Sequence, residues 1–198
     1  MKSLTVVSET SQYVIVNKPS FLDTQNSRVG RPSIAQWLLD HYGFAGIVHR
    51  LDFGVSGLLL CAKNKEAAKI YTDFLKQGKI KRIYIAVALG RVLPKKGSYH
   101  FLLDEKNALT HYCVLEYFSN ATLLEVELST GRKHQIRRHF SLAGHPLLGD
   151  HLHGKKGAKL LFQRPALHAH LLIVDGKKFA VSLPADMCSL ISRLKERG

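Results

Sequence analysis

The feature that most constrains this chain is the way its apolar residues are parcelled into short runs. YVIVNKP (13–19), GLLLCAK (57–63), KRIYIAVAL (81–89), HYCVLEYF (111–118), TLLEVELS (122–129), ALHAHLLIV (166–174) and KFAVSL (178–183) all have the length of a strand. Most are rich in β-branched or aromatic residues, which suit a pleated surface. None approaches the ~20 apolar residues needed to cross a bilayer. Between them lie segments with helical spacing. Residues 32–42 place Ile34, Leu38 and Leu39 on one side, and 65–77 read as an amphipathic helix. Residues 131–143 follow Ser129 and Thr130, either of which is placed to cap a helix, and 185–197 read as a terminal helix. Ser119-Asn120 and Asp175-Gly176 supply hairpin turns.

This order lacks the regular strand–helix spacing of a doubly wound fold, and no glycine-rich loop follows a strand to cradle a phosphate. The expected fold class is therefore α+β: a mixed, largely antiparallel sheet with flanking helices and no nucleotide cofactor. A chain of 198 residues, read as one domain over 1–198, buries roughly 70% of its unfolded surface and needs no disulfide or metal staple. Its three cysteines, Cys61, Cys113 and Cys188, are too few and too scattered for a disulfide framework. With no signal segment at the N-terminus, the expected compartment is the cytoplasm.

Charge narrows the partner. Lys and Arg number 29 against 15 Asp and Glu, a formal charge of +14. Such an excess repels itself, and a polyanionic partner relieves it. Nucleic acid is the first candidate and an anionic membrane the second.

Two segments concentrate the chemistry. In GIVHRLDFGVSGLLLCAK (46–63), His49, Arg50 and Asp52 precede Gly54, Ser56 and Gly57 at the edge of an apolar strand. A carboxylate held there by scaffold on both sides serves as base, nucleophile or ligand. The plainer alternative is a loop ion pair between Arg50 and Asp52. In STGRKHQIRRHFSLAGHPLLGD (129–150), Ile136, Phe140 and Ala143 form an apolar stripe with Arg137 at its border. A guanidinium in that position needs an acceptor, and Asp52 is the one expected; the pairing would keep the carboxylate ionised. The plainer reading is a basic face whose Arg132, Lys133 and Arg138 meet phosphates. Tyr84 follows the basic cluster that ends in Lys81 and Arg82, a combination suited to stacking a base beside a bound backbone. His134, His139, His145, His151, His153, His168 and His170 raise the question of a metal, but no HExxH and no cysteine ligands accompany them, so none is expected.

Taken together, these residues resemble a known family. GIVHRLDFGVSGLLLCAK is similar to the HRLDxxTSGLLL motif of RluA-type RNA pseudouridine synthases. VNKPS, KRIYIAVALG, TGRKHQIRRH with GHPLLGD, and ALHAHLL resemble four further motifs of that family in the same order. Two departures stand out: Val55 replaces the usual Thr, and NKPSF lacks the common Gly after the Pro. The resemblance implies a sheet split by a basic central cleft and an isomerase that converts uridine in a structured RNA, tRNA or ribosomal RNA, to pseudouridine. It implies Asp52 as the catalytic carboxylate, Tyr84 against the target base and Arg137 paired with the Asp. His49, Arg50, Lys81, Arg82, Arg132, Lys133 and Arg138 become candidate RNA contacts. No cofactor or metal, no membrane, a monomer, and no separate N-terminal RNA-binding domain are also expected. GRKHQIRRH with THY (110–112) is most similar to the tRNA pseudouridine synthase C subgroup. The alternative from another class is a non-catalytic RNA-binding module with the same basic cleft, which would have no need of Asp52.

Overall fold

The computed structural model describes residues 4–26, 30–154 and 162–196, and in them it forms ten strands and four helices. In chain order these are β1 (Thr5–Glu9), β2 (Tyr13–Lys18), α1 (Ile34–Tyr42), β3 (Gly46–Ile47), β4 (Ser56–Ala62), α2 (Lys65–Lys76) and β5 (Ile80–Leu89). They continue with β6 (Lys96–Tyr99), β7 (Thr110–Tyr117), β8 (Ala121–Leu128), α3 (Gln135–Leu142), β9 (Leu167–Val174), β10 (Lys177–Ala180) and α4 (Ala185–Glu196). The class is α+β with largely antiparallel pairing. The chain divides into two compact units, Met1–Lys81 with Ala169–Val181, and Arg82–His168 with Ser182–Gly198.

In the first unit β2 pairs antiparallel with both β1 and β4, and the two-residue β3 adds to β4 opposite Ala62 and Cys61. Every residue of β4 is buried, because this strand is covered on both faces. That explains why SGLLLCA reads as a continuous apolar run rather than an alternating one. Tyr13 and Ile15 of β2, Leu58 and Leu60 of β4, Tyr71 of α2 and Leu172 of β9 share one core. Ser33 caps α1 by accepting from the Gln36 N–H, and Gly43 closes it in the left-handed conformation. Asn64 caps α2 through the Ala67 N–H. Leu39, expected on the apolar side of α1, is 40% exposed; only Ile34 and Leu38 of that trio are buried. The β9–β10 hairpin turns through Asp175 and Gly176, both at positive φ as a tight primed turn requires.

In the second unit β5, β8, β7 and β6 pair successively and antiparallel. Ile85 and Val87 of β5 share a core with Leu148, Phe162, Ala166 and the α4 residues Met187, Leu190 and Leu194. Arg164, almost wholly buried, binds Asp186 at the start of α4 through two bonds of 2.7 and 2.9 Å. The helix expected from residue 131 begins four residues later. Neither Ser129 nor Thr130 caps it: His134 occupies the capping position at φ 54° with no side-chain cap. Ser129 instead meets His111, and Thr130 donates to Gln135. Arg197, the expected end of the last helix, lies outside the described residues. The three cysteines are free thiols.

Candidate active site

The carboxylate loop is built by the first unit. As β2 ends, Lys18 is fully buried and its Nζ donates to the carbonyls of Pro19 (3.0 Å) and Leu22 (2.8 Å). A charge so buried is tolerable only with such acceptors. The segment it fixes carries Thr24, also buried. Its hydroxyl donates to the Leu51 carbonyl (2.7 Å) and accepts from the Leu51 N–H (3.2 Å). One side chain thus clamps both backbone groups of the residue before Asp52. On the other side, the Asp52 carbonyl accepts from the Val55 N–H (3.0 Å), closing a turn, and Phe53 accepts from the Phe21 N–H (2.7 Å).

His49 is buried and its Nε2 accepts the Leu60 N–H at 3.1 Å, so its ring proton resides on Nδ1. Asp52 is half-buried between these fixed points, whereas Arg50 is exposed. The expected residues His49, Arg50 and Asp52 therefore share one loop. His49 belongs to its framework rather than to its surface. Lys18 and Thr24 were given no role by sequence; VNKP was the only hint of the first, and nothing marked the second.

The second unit builds the arginine. Gln135, buried at the start of α3, is bonded at both ends of its amide. Its Oε1 accepts from the Thr130 hydroxyl (2.7 Å) and the Arg132 N–H (2.9 Å), and its Nε2 donates to the Leu109 carbonyl and Thr110 Oγ1, both at 2.9 Å. This locks the turn 130–134 and sets the azimuth of α3. Two residues on, Arg137 is buried, and its Nε and Nη2 donate to Oδ2 and Oδ1 of Asp150, each at 2.8 Å. Oδ1 also accepts the N–H groups of Leu152 (3.1 Å) and His153 (3.0 Å). Burial alone would raise the Asp150 carboxyl, but the Arg137 bonds and the two backbone donors outweigh it and hold it below the usual carboxylate range.

Asp150 is thus the site residue that sequence reasoning missed, although it closes the GHPLLGD motif. Its position depends on Gly149, at φ 73°, where a Cβ would overlap the Arg164 carbonyl oxygen. The preceding Leu148 is pinned to β5 by its N–H to the Val87 carbonyl at 2.9 Å.

The remaining candidates sort by exposure. Tyr84 on β5 is buried, 3% exposed. Arg82 is buried as well, with Nη2 on the carbonyls of Leu128 (3.3 Å) and Thr130 (3.2 Å). It braces the start of the arginine turn. Lys81, Arg132 and Lys133 are exposed. Arg138 is half-buried and engaged by Asp104 through bonds of 2.9 and 3.0 Å.

The histidines are largely bonded to carbonyls: His139 to Phe101, His145 to Leu89, His151 to Gln163 and His170 to Val181. His134 and His153 meet each other at 2.9 Å. Among the described residues no group of three or more His, Cys, Asp or Glu is arranged to hold a metal.

The first unit thus fixes a carboxylate in a polar loop, and the second holds an arginine in a buried ion pair; a carboxylate so held is of the kind used in acid–base or nucleophilic chemistry. The comparisons identify the family. The model of the RNA pseudouridylate synthase family matches residues 12–142, more than half of the chain. The uncharacterised RNA pseudouridine synthase YjbO of Bacillus subtilis is 34% identical over 95% of this chain and 75% of its own length. Ribosomal large subunit pseudouridine synthase D of Haemophilus ducreyi is 35% identical over 97% of this chain and 71% of its own. Among solved structures, human RNA pseudouridylate synthase domain containing 4 superposes with a TM-score of 0.78 over 96% of this chain and 92% of that one, at 21% identity, a likeness of fold. The chain belongs to the RNA pseudouridylate synthase family, whose members are isomerases. No helix among the described residues is long and apolar enough to cross a membrane.

Proposed function

We propose that this protein isomerises a particular uridine of a structured RNA to pseudouridine, with Asp52 as its catalytic carboxylate. The observation that carries the proposal is the Asp52 loop. Thr24, Phe21 and the Val55 turn fix its backbone on both sides of a half-buried carboxylate, within the span of the family match. A binding module has no use for a carboxylate held so closely, since a negative charge opposes RNA. The reaction breaks the bond from uracil N1 to the ribose, turns the base and rejoins it through C5. The base must leave its stack, at a cost of a few kcal/mol. Asp52 acts on the ribose, by attack at the anomeric carbon or by removing the neighbouring ribose proton. Tyr84 packs against the extruded base. Arg137, held in place by Asp150, is the third member of the catalytic set. Arg50, Lys81, Arg132 and Lys133, all exposed, bind phosphates. The chain works as a single catalytic domain and as a monomer in the cytoplasm.

The substrate is a tRNA or a ribosomal RNA. The relatives named as ribosomal large subunit synthases support the second, and the similarity of GRKHQIRRH to the tRNA subgroup supports the first. Pseudouridine mapping of total RNA from cells with and without this protein decides between them. One site or a small set of sites should vanish with the protein and return with the wild-type chain. Asp52→Asn should restore none of them while still binding RNA. Restoration by Asp52→Asn would remove the catalytic role of Asp52.

A further inference from the structure

Beside the Asp52 loop, two phenyl rings stand in solvent where a folding chain would ordinarily hide them. Phe21 is 54% exposed and Phe53 37%. They meet edge to face with centroids 5.7 Å apart, and the Phe21 N–H donates to the Phe53 carbonyl at 2.7 Å. The Arg31 guanidinium lies over the Phe53 ring, 4.6 Å from its centroid, held there by the bond from its Nε to Asp23 at 2.8 Å. Phe53 is the residue after Asp52, so the cluster is tied to the carboxylate loop through the chain itself.

Phe21 also sits at φ 63°. The left-handed region is an outlier for a bulky side chain, and glycine would occupy it freely. Stability alone would favour glycine at position 21, because the exposed ring recovers little burial in exchange for the strain. An exposed, strained aromatic held beside a functional loop points to a role in binding. The ligand must be flat and apolar on its faces yet tolerate or seek positive charge, given Arg31 on the cluster, Arg50 exposed nearby in the chain and +14 overall. A nucleobase on its phosphodiester chain has that chemistry, and unpaired bases stack on Phe rings and guanidinium planes.

We propose that Phe21, buttressed by Phe53 and Arg31, is a stacking platform for an unpaired base of the substrate RNA next to the uridine on which Asp52 acts. The platform holds the strand in place while the neighbouring nucleotide is extruded. It contributes affinity and choice of sequence context rather than chemistry. The proposal rests on the reading of Asp52 given above.

The test compares wild type, Phe21→Gly, Phe21→Trp and Asp52→Asn. Two measurements are made: dissociation constants for a fluorescein-labelled short oligouridylate, and steady-state pseudouridine formation on total RNA from cells lacking the protein. Phe21→Gly should raise the Kd and KM about 5- to 100-fold, the range of one lost stacking contact, with kcat changed less than about twofold. Its thermal midpoint should be no lower than that of wild type, because glycine relieves the backbone. Phe21→Trp should restore binding, which a merely structural role would not explain. Oligouridylate binding and KM of Phe21→Gly equal to wild type would overturn the platform. Modification by Asp52→Asn would overturn the assignment of Asp52 instead, and the Kd comparison would still decide the platform.

Discussion

At the scale of single residues, the Arg137–Asp150 pair shows how a charge becomes dependable. Exposed ion pairs of this kind contribute little, because water competes and long side chains wander. Here both groups are buried, the guanidinium and carboxylate meet through two parallel bonds, and Asp150 takes two backbone N–H groups besides. Removing one partner leaves the other charged and buried, which costs about 3–5 kcal/mol. Asp150→Asn should therefore lower the urea midpoint by an equivalent amount and loosen Arg137, reducing turnover more than RNA affinity.

The same pair sets an acid limit. The folded-state pKa of Asp150 is lowered from 3.8, as is that of Asp186 beside Arg164, where burial again opposes and the Arg bonds prevail. A lowered carboxylate contributes stability that is complete above its unfolded value and is lost as the pH falls through the folded one. Urea midpoints should thus be insensitive to Asp150 protonation above about pH 5 and fall below about pH 4. Asp150→Asn should flatten that fall. An equally steep acid limb in the variant would place the lost stability elsewhere.

At the scale of elements, the strands were legible wherever burial dominated. β2, β4, β5, β7, β8 and β9 coincide with apolar or β-branched runs, because each packs at least one face into a core. β1 and β6 were not foreseen: TVVSE and KGSY have no fully buried residue, so no pattern marks them. Backbone pairing to β2 and β7, not side-chain burial, makes them strands. The start of α3 was misplaced for a different reason. Local capping rules favour Ser129 or Thr130, yet the Gln135 amide reaches back to the Thr130 hydroxyl and the Arg132 N–H while anchoring to Leu109 and Thr110. A long-range anchor overrides a local preference, and no window of sequence displays it.

The same distinction separates two glycines of the segment that follows α3. Gly144 and Gly149 both lie at positive φ, but a Cβ on Gly144 meets nothing within 4 Å, whereas one on Gly149 would overlap the Arg164 carbonyl. Gly144→Ala should cost about 1 kcal/mol, the backbone strain alone. Gly149→Ala should cost about 3 kcal/mol or more and displace Asp150 from Arg137. Equal costs in urea unfolding would mean that crowding at Gly149 relaxes freely.

At the scale of the whole molecule, +14 is a statement about a partner, and the placement of individual cations shows how much of it reaches one. Arg82 and Arg137 are bound inside the fold, Lys18 is buried against the Pro19 and Leu22 carbonyls, and Arg138 is matched by Asp104. Of these, Arg82 and Arg138 are among the RNA contacts expected from sequence, and burial or an ion pair engages both within the fold. Arg50, Lys81, Arg132 and Lys133 remain exposed, and as the proposed phosphate contacts they are the ones expected to exchange counterions with RNA. Each phosphate neutralised on a single strand adds about 0.7 to the slope of log affinity against log salt. The double variant Arg132→Gln, Lys133→Gln should flatten that slope by about 1.4 for single-stranded RNA. Arg82→Gln should leave it unchanged, because its charge faces the Leu128 and Thr130 carbonyls, and should lower the unfolding midpoint instead. Titrations of an oligouridylate across a range of KCl concentrations measure the slopes directly. If Arg82→Gln flattened the slope as much as the surface pair, Arg82 would have to turn outward on binding RNA, and the division between framework and surface charge would fail at that residue.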